Sequence, residues 1–305
     1  MSSLTLAKDA AAETGPATDR SAPTGSPSRS RLLSKGAVNT ALVLAAVYSL
    51  FPVLWMLLAA TKNNTGLASG VFDFHHIALG ENLSGLIHTD HGIYLRWCLN
   101  SVLYAGIGSA VCALISVAAG YAFDKYHFRG KEKLFGAVLL GVLVPSAATV
   151  IPMYLMFSKL HLVNTVWAVL IPSVVNPFGV YLGRVFSLGY VPDEVIEAAR
   201  VDGAGEIRIF GSIALPMLKS GFTTIMLFQF SAIWNGFFLA LVMLSDKNLY
   251  PVTLGVYIWQ TESVPDPSMT PLALTGATVA VLPVLVLFIC LQRYWRSGLT
   301  AGSVK

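Results

Sequence analysis

Six stretches of this chain contain no Asp, Glu, Lys or Arg: Val38–Ala60, Cys98–Ala122, Leu134–Phe157, Val166–Gly183, Ser220–Leu244 and Leu272–Gln292. Each is about the length a helix needs to cross a bilayer, roughly 20 apolar residues. One charge at the centre of such a helix costs about 3 kcal/mol to insert. Six clean windows in one chain therefore constrain the fold more than any other feature. The alternative, a large soluble protein with buried core helices, does not sustain such runs without a charge. Only 12% of the 305 residues are charged, about half the fraction usual in soluble domains. The expected fold is an all-α integral membrane protein with six transmembrane helices.

The net charge is +4, but its distribution argues against nucleic acid as a partner. With the amino terminus inside, the cytoplasmic segments hold 16 of the 20 basic residues and the outer loops hold 4. This asymmetry sets both termini in the cytoplasm. Residues Met1–Lys35 are of a different composition: Ser, Thr, Ala, Gly and Pro fill 22 of the 35 positions. Such a segment cannot bury enough surface to order itself, so a disordered tail is expected at 1–35 and a six-span domain at 36–305. The tail lacks the hydrophobic region of a secretory signal. Cys98, Cys112 and Cys290 lie in or beside spans far apart in sequence, which fits small apolar residues better than a disulfide framework or zinc site.

Between the spans, outer loops Thr61–Trp97 and Ser245–Pro271 are long and mixed, and Ser158–Thr165 is short. Trp97, Trp167 and Tyr250 fall near expected span ends, where amphipathic rings favour the membrane interface. Gly108, Cys112, Ser116 and Gly120 recur every four residues. They form a small-residue face for close helix packing. Pro52, Pro145, Pro152, Pro172, Pro177 and Pro283 fall inside spans and are expected to kink them.

The inner loop 185–219 is too long for a turn and reads as two short helices. Pro192-Asp193-Glu194 suits a helix start. Val195, Ile196, Ala198 and Ala199 supply an apolar side, and Gly203 suits a left-handed stop. Glu206–Ala214 resumes a helical pattern that Leu215-Pro216 ends. The string Glu197-Ala198-Ala199, three residues with Asp202 last, Gly203, nine residues, Ile213, one residue, Leu215-Pro216 resembles the EAA motif of ABC importer permeases. In that family the loop forms coupling helices that dock in a cleft of the ATP-hydrolysing subunit. The resemblance thus assigns coupling to Glu197, Ala198, Ala199, Asp202, Gly203, Ile213, Leu215 and Pro216.

The resemblance runs from about Arg96 to Lys305. Arg96-Trp97-Cys98-Leu99-Asn100-Ser101 looks like the start of the transport core, and Phe128-Arg129-Gly130-Lys131 like its first inner loop. Trp234-Asn235, Gln292-Arg293-Tyr294 and Gly298-Leu299-Thr300-Ala301-Gly302 look like the carbohydrate branch of maltose-permease type, and within it the six-span member of the permease pair. Gly236 stands where members often carry an acid, which puts an acid-dependent gate there in doubt. The resemblance implies a bacterial inner-membrane permease that moves a sugar or oligosaccharide by alternating access. It implies a second permease subunit, two ATP-binding-cassette ATPase subunits and an extracytoplasmic solute-binding protein as partners, with membrane lipid around the spans. The chain has no Gly-x-x-x-x-Gly-Lys-Ser/Thr loop for phosphates. It is therefore expected to be no enzyme and to carry no cofactor, ATP and magnesium belonging to the partner ATPase.

No catalytic or metal site is expected. His75, His76, His88, Asp90 and His91 fall in one outer loop, where solvated histidines are commoner than ligands. Asn176, Gln229, Trp234 and Asn235 either line a sugar path, as aromatic and amide groups can, or make interhelical hydrogen bonds worth about 0.6 kcal/mol. Rival functions are a permease for polyamine, phosphonate or metal chelate, an ion-coupled secondary transporter and a membrane enzyme. Ion coupling usually requires intramembrane ionisable residues, and the six windows contain none.

Overall fold

The computed structural model describes residues 29–300, with side chains from 38 to 290. Residues 1–28, most of the expected tail, lie outside the described residues. Helix α1 (Arg29–Ala59) takes in residues 29–35 of the segment expected as a tail. The chain divides into two units, Met1–Pro52 and Val53–Lys305. In the first unit the described side chains of α1 stand exposed all along the helix, from Val38 to Phe51. An apolar surface of this kind calls for lipid or another apolar partner around it.

Every regular element among the described residues of the second unit is a helix, apart from one isolated bridge, Lys62 to Ile77. After α2 (Asn64–Ser69) and α3 (Leu79–His88) comes α4 (Ile93–Lys125), the long helix around which the unit is built. It continues through α5 (Lys131–Leu140), α6 (Ser146–Lys159), α7 (Trp167–Ser173) and α8 (Pro177–Tyr190). Then follow α9 (Asp193–Val201), α10 (Glu206–Ile209), a π-helical turn over Phe210–Ala214, and α11 (Leu215–Met217). Last come α12 (Lys219–Asn235), α13 (Phe237–Met243), α14 (Val252–Glu262) and α15 (Met269–Thr300).

The small-residue row on α4 explains why this helix is central. A Cβ on Gly183 of α8 would sit 2.5 Å from the Ser116 carbonyl oxygen, and one on Gly120 would overlap the Gly183 backbone. The two backbones touch, so only glycine fits at either position. Gly108 similarly admits Ile233 of α12 and Ser173 of α7. The row is therefore an intramolecular packing face, with Cys112 fully buried in it, its sulfur 3.8 Å from Ser116 Oγ.

Among the described residues, four helices are long and apolar enough to span a membrane, and the number is six if each of two bent pairs counts as one span. The bent pairs correct the expected boundaries. Leu134–Phe157 is not one straight helix: α5 and α6 meet at 101°. Pro145 pushes Val144 into extended backbone (φ −78, ψ 118) and so ends the first helical run. Val166–Gly183 is interrupted for the same reason: Asn176, preceding Pro177, is extended (φ −142, ψ 99). Ser220–Leu244 breaks at Gly236, while α12 joins the preceding α10–α11 segment at 77°. Pro52, Pro152, Pro172 and Pro283 stay within helices.

The segment between α1 and α4, expected as a mixed loop, has its own framework. The Asn82 amide donates to the carbonyls of Ala60 (2.9 Å) and Lys62 (3.0 Å), and Thr275 of α15 donates to Ala60 (3.0 Å). Lys62 is fully buried, with its ammonium on the Asp73 carbonyl and 5.1 Å from the Phe74 ring centre. Trp97, expected at an interface, is only 2% exposed. Its indole N–H donates to the Lys247 carbonyl at 2.8 Å and its ring packs 4.8 Å from Trp259. The indole found an internal acceptor in a segment 150 residues away.

Candidate functional site

Helix α9 starts on Pro192, and Asp193 and Glu194 occupy its first turn, where carboxylates favour the helix dipole. Its end is a Schellman turn: the Ala204 N–H donates to the Ala199 carbonyl and the Gly203 N–H to the Arg200 carbonyl, both at 3.0 Å. This requires left-handed backbone at Gly203, and its φ is +76. The first of the two short helices expected here is present at its expected limits; the second, expected over Glu206–Ala214, is the short α10 followed by the π-helical turn, and the helical run passes Leu215-Pro216 and ends at Met217. The sequence-predicted residues then divide by exposure. Glu197, Ala198, Asp202, Gly203 and Pro216 face outward. Ala199 is buried, and Ile213 and Leu215 are half-buried, packing with Ile196, Ile209 and Leu218.

Two side chains flanking the turn escaped the sequence analysis. Val201 is 88% exposed and Ile207 91% exposed. Apolar groups left this bare beside an unobstructed glycine give the tip a surface suited to a partner rather than to water. The available signal was that neither residue fits the buried stripe of α9 or of the following helix.

Charged groups tie this segment to the neighbouring helix ends. Lys125, the last residue of α4, bonds Asp193 at 2.5 Å and Asp124 at 3.1 Å, and Asp124 accepts from Ser187 Oγ at 2.7 Å. The Lys125 ammonium holds the Asp193 carboxyl below its ordinary value. Arg200 grips Glu206 across the turn at 2.8 Å, and the Tyr126 hydroxyl donates to the same carboxylate at 2.9 Å. Burial, and then that carboxylate, push Tyr126 up to about 12. Arg184 pairs with both oxygens of Glu132, at 3.0 and 2.7 Å, and lies 4.3 Å from the Phe135 ring centre.

The four polar residues expected to line a path do not come together. Asn176 caps α8 through the Gly179 N–H at 3.0 Å, and its amide donates to Gln229 at 2.9 Å. Gln229 in turn donates to the Ser173 carbonyl at 2.7 Å. This pair stitches the α7–α8 break to α12, as an interhelical bond would. Trp234 and Asn235 instead border a cleft of about 340 Å³ with Phe237, Thr253, Tyr257 and Ala280. Trp234 is nearly buried, stacked on Phe230 and bonded to the Ala280 carbonyl at 3.1 Å.

The histidines serve local turns. The backbone N–H of His75 and then its ring hold the Asp73 carboxyl down at about 2, and the His88 ring meets the Ser84 carbonyl at 2.8 Å. Among the described residues no group of three or more His, Cys, Asp or Glu is placed to hold a metal.

Residues 113–300 match the family described as binding-protein-dependent transport system inner membrane component. The chain is 32% identical over 264 residues to the arabinooligosaccharides transport system permease protein AraQ of Halalkalibacterium halodurans, covering 85% of this chain and 92% of that protein. It is 30% identical over 264 residues to the lactose transport system permease protein LacG of Rhizobium radiobacter, covering 87% and 94%. A chain in the crystal structure of a bacterial ABC transporter involved in import of the acidic polysaccharide alginate shares the fold, with TM-score 0.77 and 20% identity over 89% of this chain and 99% of that one.

Proposed function

Since this chain belongs to the family of binding-protein-dependent transport system inner membrane components, we propose that it is the permease subunit of an ATP-driven importer of a sugar or oligosaccharide. The observation that carries the reading is the α9–Gly203–α10 segment, a built docking tip in a chain whose relatives are named for arabinooligosaccharide and lactose transport. The exposed Glu197, Ala198, Asp202, Gly203 and Pro216 meet the ATPase, while Ala199, Ile213 and Leu215 hold the tip in shape. ATP, with its magnesium, binds on two partner ATPase subunits. A second permease chain completes the pathway, and a solute-binding protein delivers cargo from outside.

Closure of the ATPases on ATP moves the tip. Lys125 and Tyr126 pass that movement to α4, against whose backbone α8 is packed. Nucleotide shifts the equilibrium between inward- and outward-facing states because it binds them unequally. Both termini are cytoplasmic, in line with the basic residues being concentrated in the segments flanking α9 and in the tails.

Uptake of labelled arabinotriose, lactose and maltotriose by cells expressing the full set of subunits tests the reading. Uptake of one of them that disappears without the binding protein is expected, and labelled polyamine or phosphonate entering in its place would overturn it. A reporter active only outside the membrane, fused after Lys305, should be silent; activity there would sink the topology.

A further inference from the structure

Helix α3 (Leu79–His88) lies in the segment between α1 and α4, and its residues divide into three sectors. Asn82 and Leu86 are buried against the protein, with Gly85 half-buried beside them. Glu81, Ser84 and His88 are exposed and polar. Leu79, Leu83 and Ile87 are exposed too. At a spacing of four they stand one above the other and form a single apolar edge. The two ionisable residues of the helix, Glu81 and His88, both lie off that edge. A helix on a water-soluble surface needs two sectors, one for the core and one for water. The third sector of α3 requires another apolar surrounding.

The contacts of the buried sector fix the height of this helix. A Cβ on Gly85 would sit 2.7 Å from Leu272 Cδ2, and one on Gly276 would sit 3.6 Å from Leu86 Cδ2. Leu272 and Gly276 belong to α15, within its apolar stretch Met269–Cys290. The 22 residues of that stretch rise about 33 Å as a helix, close to the roughly 30 Å of a hydrocarbon core. By the same rise, Leu272 and Gly276 are about 5 and 10 Å in from the Met269 end. Amphipathic helices that rest on a membrane sink their apolar side about 5–10 Å into the boundary between headgroups and acyl chains. So α3 meets α15 at the depth where lipid covers such an edge and the polar sector still reaches water. Phe72, Phe74 and Ile77, on the chain leading into α3, are exposed apolar groups of the same kind. Beyond the helix, the exposed Asp90 and His91 return the chain to water.

We propose that α3 is a membrane-seated helix. Its Leu79–Leu83–Ile87 edge lies in the acyl chains of one leaflet, and its Glu81–Ser84–His88 edge lies in the aqueous layer. The Asn82 amide, bonded to the carbonyls of Ala60 and Lys62, fixes the helix to the protein, so lipid covers a rigid surface. Helix α3 precedes the start of α4, and Lys125 beside the docking tip is at the other end of α4. The leaflet is therefore the outer one on the topology proposed above, and only the choice of leaflet rests on that reading.

The test uses the whole transporter and two added cysteines. Leu83→Cys is on the apolar edge and Ser84→Cys is one residue away on the polar edge. Each is compared with the parent chain, which subtracts the signal of the three native cysteines. In intact cells a membrane-impermeant maleimide should modify Ser84→Cys. It should react with Leu83→Cys about tenfold more slowly, since drawing a side chain out of an apolar surrounding into water is unfavourable. After purification, a nitrobenzoxadiazole dye on each cysteine reports its surroundings in phosphatidylcholine vesicles. The acyl chains carry bromine either near the headgroup or near the methyl end. The dye on Leu83→Cys should be quenched most by bromine near the headgroup, and the dye on Ser84→Cys by neither lipid. Equal maleimide rates at the two positions overturn the proposal, because water then covers the edge. A slow rate without quenching overturns it as well, because another protein then covers the edge. Modification of Ser84→Cys only after the membrane is opened, with the expected quenching, removes the outer topology and leaves the seated helix standing. Should Leu83→Cys fail to accumulate, Leu79→Cys and Ile87→Cys carry the same expectations.

Discussion

At Gly203 the backbone sits at φ +76, and a Cβ built there meets none of the described residues within 4 Å beyond its two chain neighbours. The two facts separate strain from collision. For most residues the left-handed conformation costs about 1–2 kcal/mol, but Asn tolerates it. Gly203→Asn should therefore leave the turn and the membrane level of the chain intact. If the tip docks closely, the added bulk alone will reduce ATPase co-purification. Gly203→Asp adds an unpaired charge to a docked surface and should abolish uptake. Co-purification on the solubilised complex, alongside uptake, checks both; wild-type uptake in Gly203→Asp would remove the tip from coupling. The glycine's role was legible in the sequence because a Schellman turn is set by residues within one turn of it. For Asn176 and Gln229 the sequence allowed interhelical bonding as one of two readings, but not their pairing, because they are 53 residues apart and only the packed helices bring them together.

The same division appears among elements. The limits of α9 followed from Pro192, the acids and Gly203, all local signals. Pro145 marked a disturbance in the third apolar run, but its 101° bend depends on what α5 and α6 pack against. Val201 and Ile207 were missed because a helical pattern identifies the residues a helix buries and is silent on those a partner covers. Val201→Ser with Ile207→Ser should weaken ATPase retention without lowering the amount of permease in the membrane. Equal retention in a pull-down would argue that water covers these side chains. The tie between α4 and α9 gives a sharper expectation. Asp193→Asn or Lys125→Met should lower the sugar imported per ATP hydrolysed, and the exchange Lys125→Asp with Asp193→Lys should recover part of it. The Asp193 carboxyl is held below its ordinary value, so its contribution is full above about 3.9 and is lost as pH falls through the lowered value. The wild-type coupling ratio should thus show no loss of this tie between pH 8 and pH 5. A step in that interval that Asp193→Asn eliminates would contradict the assignment.

Across the whole molecule, the two ends of the second unit are fastened by different chemistry. Around α2, α3 and the start of α4, buried side chains donate to main-chain carbonyls: Asn82 to Ala60 and Lys62, Thr275 to Ala60, Tyr94 to Gly276 and Trp97 to Lys247. Around α9, the fastenings are carboxylate–cation pairs with at least one partner open to solvent: Lys125–Asp193, Arg184–Glu132 and Arg200–Glu206. Exposed pairs are screened as the Debye length shrinks to about 3 Å at 1 M salt, while buried neutral bonds are barely affected. Among the described residues the other end holds only the loose Lys247–Glu262 contact at 3.9 Å and the His75–Asp73 pair, so ionic strength becomes a reagent that acts mainly on one end. A purified transporter moved from dilute to molar salt should hydrolyse ATP with less sugar delivered per cycle while its thermal melting point hardly moves. Returning it to dilute buffer should restore the yield, so the wash used to strip peripheral proteins from a membrane would double as a reversible clutch.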